Sequence, residues 1–178
     1  MRRFFLFLTL VSVSLAQSCY DPSDRPIYGR CYKLVNQQLT WQNARNWCHN
    51  QQTFLATVPD RTTASFLSSY ARTTFEMNAG KFWIGLYRNT TSSPFQWDDG
   101  TPYGWSDFSS IQSGLYVAQS IENGKFQTLA GTESLNFVCS YVPTGSGTTS
   151  PGPATSPGAE SSYYTTGYSV LTTSIDSA

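Results

Sequence analysis

Phe82-Trp83-Ile84-Gly85-Leu86 is a run of large apolar residues broken by one glycine, and no other stretch says as much about how this chain folds. Residues of this size and branching suit a strand buried on both faces. A glycine inside such a strand weakens it, so its presence marks a point where another backbone or a ring must come close. Trp83, Ile84 and Leu86 are therefore expected to fill core on both sides of the strand, and Trp83 is read as core rather than as a stacking surface for a ligand.

In and around this run, short segments rich in aromatic and β-branched residues predict strands over 82–87, 95–97, 115–118, 125–129 and 136–142. Asn89-Thr90, Asp98-Asp99-Gly100 and Glu122-Asn123-Gly124 are turn signals between them. Upstream the period changes. Trp41, Ala44, Trp47 and Cys48 share one face of a helix predicted over 41–51, with Thr40 as its N-cap. A second helix is expected from Thr62 or Thr63 to about Ala71, carrying Ala64, Phe66, Leu67 and Tyr70 inward. Trp97 and Trp105 border loops. Helices first and strands later describe an α+β domain with an antiparallel sheet.

The flanks differ in character. Met1-Arg2-Arg3, a run of about ten apolar residues and Ser14-Leu15-Ala16 read as a signal peptide over 1–16, cleaved after Ala16. The run is shorter than the ~20 residues a membrane span needs, so a retained anchor is the weaker reading. Residues 17–142 are then the folded domain. From 143 to 178 the chain holds 16 Ser/Thr, 4 Pro and 5 Gly in 36 residues, which reads as a disordered tail. Its Thr144 to Ser162 stretch fits an O-glycosylated stalk and a plain flexible tail equally well. Without Arg2 and Arg3 the charge is 9 basic against 11 acidic residues, a net of −2. That leaves no basic field for nucleic acid or a membrane surface.

Four cysteines, Cys19, Cys31, Cys48 and Cys139, allow three pairings, among which sequence spacing does not choose. An oxidising compartment and the absence of any C-x-x-C spacing argue for disulfides over a metal site, and the single histidine, His49, reads as a surface helix residue. Catalytic signatures are missing: there is no Gly-x-Ser-x-Gly, no His-Glu-x-x-His and no phosphate loop. Glu122 and Glu133 could be cast as a glycosidase pair, but surface acids are the simpler identity. Asn89-Thr90-Thr91 is the one N-glycosylation sequon, in a context that reads as an exposed loop.

Taken together, Trp41-Gln42-Asn43-Ala44 with Cys48, Phe54-Leu55-Ala56-Thr57-Val58, Phe82-Trp83-Ile84-Gly85-Leu86, Phe95-Gln96-Trp97-Asp98-Asp99-Gly100-Thr101-Pro102 and Phe137-Val138-Cys139 resemble, in order, the motifs of the C-type lectin-like domain family across nearly all of 19–141. The resemblance implies two helices and antiparallel sheets with a long loop region. It also implies the pairs Cys48 with Cys139, tying the first helix to the last strand, and Cys19 with Cys31, closing an N-terminal hairpin.

The chain departs from the family where function is usually set. Tyr116 and Gly131 stand where the family's second disulfide would be, so the loop is expected to be looser or packed by Tyr116. The triplets that supply side-chain oxygens to calcium in sugar-binding members are replaced by Ser109-Ser110-Ile111 and Phe126-Gln127-Thr128, which contain no carboxylate. Calcium favours carboxylate-rich sets of six to eight oxygens, so no cofactor is expected and calcium-mediated sugar binding is disfavoured. Asp98, Asp99 and Asp107 are the acids nearby, and Asp98-Asp99-Gly100 is most simply a turn.

The expectation is a secreted, extracellular, non-enzymatic recognition protein that binds an extracellular protein or glycan. The candidate surface is the loop face from Asp98 to Gly114, with Asp98, Asp99, Tyr103, Trp105, Asp107 and Phe108 as contact residues. Two alternatives stand beside it: a carbohydrate-binding lectin of innate defence with a non-canonical site, and a matrix or mucus component acting through a glycosylated tail.

Overall fold

In a computed structural model that describes residues 18–143, the apolar run becomes the central strand of a nine-stranded sheet. The leader read over 1–16 and the tail beyond Pro143 lie outside the described residues. In chain order the elements are β1 (Arg25–Ile27), β2 (Arg30–Leu39), α1 (Trp41–Asn50), β3 (Phe54–Leu55), α2 (Arg61–Thr74), β4 (Lys81–Tyr87), β5 (Gln96–Trp97), β6 (Phe108–Ser110), β7 (Tyr116–Ser120), β8 (Phe126–Leu129) and β9 (Leu135–Tyr141). The sheet runs β1-β2-β9-β4-β7-β8-β6, with β3 on β9 and β5 on β4. Most ladders are antiparallel, but β4 and β9 are parallel, as are β6 and β8. Strands β1, β2 and β6 carry no pattern that singled them out in sequence. The polar stretch of β2, Asn36-Gln37-Gln38, is exposed and falls in an irregularity of the register, and the strand is fixed by β9, which pairs Cys31 to Val35 on one side of it and Leu39 on the other.

Period 2 along β4 separates two cores. Phe82, Ile84 and Leu86 pack with Ala64, Leu67 and Ala71 of α2. Trp83 packs with Trp41, Ala44 and Cys48 of α1. All four of these β4 side chains are fully buried, as the sequence reading required. Gly85 performs the close approach: a Cβ there would meet the Leu55 carbonyl oxygen at 2.4 Å. Its N–H donates to Ala56 O at 2.9 Å, and its carbonyl accepts from Asp98 N at 2.9 Å. The two fully buried indoles at the interface of β4 and α1 find acceptors, Trp83 Nε1 donating to Leu39 O (2.9 Å) and Trp41 Nε1 to Ile84 O (3.0 Å).

The first helix starts where expected, with Thr40 Oγ1 accepting from Asn43 N. The second starts earlier and runs longer than its sequence pattern suggested. Asp60 is the cap, accepting from Thr63 N at 2.7 Å, and the helix continues to Thr74. Thr63, Ala64, Leu67, Ser68 and Ala71 form its buried stripe. Phe66, assigned inward from sequence, is 43% exposed, because it lies one step of about 100° away from Leu67. It stacks instead on half-buried Tyr70, at 6.4 Å between ring centroids. Trp97 is buried in the first core, and Trp47 is only half-buried.

The cysteines pair Cys19–Cys31 and Cys48–Cys139, at sequence separations of 12 and 91. On the chain-entropy account these rings stabilise by about 3 and about 4.5 kcal/mol.

Candidate functional site

The stretch from Asp98 to Gly114 leaves the sheet after β5 and returns to it at β7, with β6 its only regular element. Three of its six candidate contact residues are acids, and each carboxylate is taken up within the fold. Asp98 faces inward with a fully buried side chain. It accepts from Arg45 Nε, from His49 Nε2 (2.8 Å) and from Leu55 N (3.0 Å), binding α1 and β3 to the root of the loop. Its role is therefore that of an internal brace, and its turn signal is carried by its neighbours: Gly100 has φ +75° and Asp99 Oδ1 accepts from Thr101 N at 2.9 Å. Asp99 also pairs with Arg30 Nη1 at 2.8 Å. Burial pushes the Asp99 carboxyl up, but the Thr101 N–H and the Arg30 guanidinium outweigh it and hold the group below the usual aspartate range. Asp107 lies between Arg61 Nη2 (2.9 Å) and Lys125 Nζ (3.1 Å).

The aromatic candidates divide in the same way. Trp105 and Phe108 are half-buried and meet Phe126 edge-on, at 5.7 and 5.8 Å between centroids. Phe95 packs on Phe108 (5.1 Å) and on Tyr103 (6.1 Å). The loop thus has a small core of its own, continuous with that of the sheet. Tyr103 is 41% exposed, with its hydroxyl 2.7 Å from Ser106 Oγ, and Ile111 is 58% exposed. The presented surface is Tyr103, Ile111 and the small polar residues Ser109, Ser110, Gln112 and Ser113. It has no unpaired charge, and tyrosine, serine and glycine in such a mixture supply rigid contact area with adaptable hydrogen bonding.

The two segments that the resemblance places at the family's calcium triplets are paired with each other. Phe108 and Ser110 of β6 lie opposite Phe126 and Gln127 of β8. Ser109 Oγ donates to Phe126 O (3.1 Å), and Thr128 Oγ1 accepts from Gln112 N (2.7 Å) while donating to Gln112 O (3.2 Å). A donor set without carboxylates, with the Ser109 and Thr128 hydroxyls already bonded to backbone, does not fit a calcium ion. Among the described residues, no group of three His, Cys, Asp or Glu side chains is placed to hold a metal.

Arg88, which sequence reasoning passed over, secures the loop from below. It is 7% exposed. Its Nε and Nη2 donate to Gly114 O (3.1 and 2.9 Å), Nη1 donates to Thr91 O (2.7 Å), and Nη2 also reaches Gln112 O. The guanidinium lies 5.0 Å over the ring of Phe95. An arginine after a strand has no sequence signature for such a task, because most of its acceptors are backbone carbonyls more than twenty residues away.

A two-helix, mixed-sheet domain with a long, internally cored loop defines a class, and comparison with known proteins gives it a family. Residues 37–141 match the family model described as Lectin C-type domain, and the chain belongs to that family. It is 30% identical over 138 residues to one subunit of the Snaclec anticoagulant protein of Deinagkistrodon acutus, covering 75% of this chain and 92% of that one. With the beta subunit of Snaclec botrocetin from Bothrops jararaca it shares 32% identity over 124 residues, covering 67% and 97%. Human lithostathine has the same fold, with a TM-score of 0.64 at 21% identity over 75% of this chain and 99% of its own. So does a calcium-independent type II antifreeze protein, with a TM-score of 0.62 at 19% identity over 72% and 97%.

Proposed function

We propose that this protein is secreted and acts by binding, using its loop face to recognise an extracellular protein or glycan without calcium. The observation that carries this reading is the pairing of β6 with β8, which commits the Ser109-to-Ile111 and Gln127-Thr128 segments to each other. The surface left over, Tyr103 and Ile111 among serines and glutamine, has the composition of a protein-recognition patch. Support for secretion comes from the leader, from two disulfides in a short chain, and from the likeness to Snaclec proteins, one of them named an anticoagulant. The antifreeze neighbour, described as calcium-independent, agrees with a member of this fold working without the ion.

The test is a screen of the secreted protein against an extracellular-protein panel and a glycan array, each run in millimolar calcium and in chelator. Binding that is equal in both and lost in Tyr103→Ala or Ile111→Asp supports the reading. Binding that requires calcium would refute it.

A further inference from the structure

At the root of the loop, on the α1 side of β4, lies a hollow of about 220 Å³ that the loop face does not use. Trp41 is its floor, only 2% exposed, with the rings of Tyr116 and Tyr87 at 4.5 and 5.2 Å. Gln42 and Arg45 stand on one rim, and Asn89 on another. Tyr87 lies two residues before Asn89, at the last position of β4, so ring and carboxamide border the same space. Asn89 is exposed, and its carboxamide has no hydrogen-bond partner among the described residues. The turn that follows is held without it, by Thr90 Oγ1 accepting from Ser93 N at 3.1 Å. Thr91, the hydroxyl residue of the sequon, is exposed too, and only its carbonyl is engaged.

We infer that this hollow is filled from within the molecule: an N-linked glycan on Asn89 folds its first sugar back onto Tyr87 and Tyr116, over Trp41. A pyranose presents an apolar face of C–H groups and a polar edge of hydroxyl and acetamide groups. Half-buried tyrosines suit the first, being amphipathic themselves, and the side chains of Gln42 and Arg45 suit the second. The space admits one ring, and the remainder of the glycan projects into solvent.

Attachment is made by the transferase of a secretory host. Asn89 Nδ2 forms a bond to the anomeric carbon of the sugar, that carbon's bond to a lipid pyrophosphate breaks with the electron pair leaving on the pyrophosphate, and one amide proton is released. Seated in this way, the sugar braces Tyr87 and the 89–93 turn, whose Thr91 carbonyl is one of Arg88's acceptors. It thereby stiffens the base of the loop face. This goes beyond the proposed function and rests only on the secretion that it includes, since no ligand need be bound by the loop face.

The experiment uses the full chain from a secretory host that adds high-mannose glycans, trimmed enzymatically to one N-acetylglucosamine, beside Thr91→Ala, which removes the sequon. Mass spectrometry reads occupancy, and NMR reads the pyranose C–H protons of the remaining sugar. The expected result is a modified Asn89 with ring C–H resonances upfield, through ring currents, of those of the same Asn-linked sugar in the denatured protein. Tyr87→Phe should keep that shift and Tyr87→Leu reduce it. The trimmed protein should also melt above Thr91→Ala. An unmodified Asn89, or ring C–H resonances in the folded, otherwise unaltered protein that match those of the denatured one, overturns the proposal, and the second outcome decides it even where Tyr87→Leu does not fold.

Discussion

The ring of Tyr116 lies so close over Gly131 that a Cβ on that glycine would sit 2.3 Å from Tyr116 Cδ2. These are the two positions at which the family resemblance places a second disulfide, and an aromatic ring against a bare backbone now fills the gap. Gly131 also adopts φ +87° and accepts from Trp41 N at 3.1 Å, which joins the start of α1 to the segment before β9. Tyr116 completes the contact through its ring on Trp41.

Gly131→Ala is therefore expected to be destabilising twice over, once through the left-handed backbone and once through overpacking, by about 2–4 kcal/mol in all. In a Tyr116→Ala background the same change should cost less, because the clash has gone while the backbone strain remains. Chemical denaturation of the four proteins in a double-mutant cycle measures the difference. A cost unchanged by Tyr116→Ala would mean that the ring does not occupy the glycine's side-chain space.

Arg88→Met should loosen the loop more than it unfolds the domain. The carbonyls of Thr91, Gln112 and Gly114 lose a buried cationic donor that methionine's shape replaces but its chemistry does not, at an expected cost of about 1–3 kcal/mol. Hydrogen exchange should accelerate over 89–93 and 108–114, with β4 and β9 still protected. Uniform loss of protection across the sheet would show Arg88 to be part of the global core.

Acid should weaken the protein partly through Asp99. Its folded carboxyl lies below the ordinary value of about 3.9, so its stabilising contribution is complete above that value and is lost as pH falls through the folded pKa. Asp99→Asn should be less stable than the parent at neutral pH, with a gap that narrows as pH falls below about 4. Melting curves between neutral pH and about pH 2 test this, and a gap independent of pH would assign the effect to packing.

Calcium should leave the melting temperature unchanged. A ligand present at about 100 times its Kd adds about 2.7 kcal/mol to the native state, a shift that a thermal melt resolves easily. The expected curves in millimolar calcium and in chelator superimpose. An upward shift with calcium that Asp107→Ala abolishes would establish a site in the loop, with Asp107 released from Arg61 and Lys125 to supply it.

Much of the frame could be read in the chain because local rules act there without competition. A doubly buried strand has to be apolar on both sides, so Phe82 to Leu86 stood out. A backbone contact as close as that of Leu55 O on residue 85 admits only glycine, so Gly85 announced it. Thr40 caps a helix by geometry internal to four residues. The disulfide pairs came from family likeness, since four cysteines alone leave three choices.

What the chain could not reveal were partners distant in sequence. Asp98 and Asp99 form one turn signal, yet the first is buried against Arg45 and His49 while the second faces Arg30, because the turn closed by Gly100 N on Trp97 O aims the two side chains apart and only the packed fold says what lies on either side. Phe66 and Leu67 are both large and apolar, and the tertiary packing of α2 on the sheet put Leu67 in the core and Phe66 outside it. The pairing of β6 with β8 joins a segment of no marked strand character to a predicted strand, and it lies where the family resemblance would place an ion site. Composition determined that this chain would form a disulfide-clamped core around Phe82 to Leu86. The loop's shape was decided by long-range hydrogen bonds to carbonyls and hydroxyls, groups that every sequence possesses and whose partners the folded backbone alone selects.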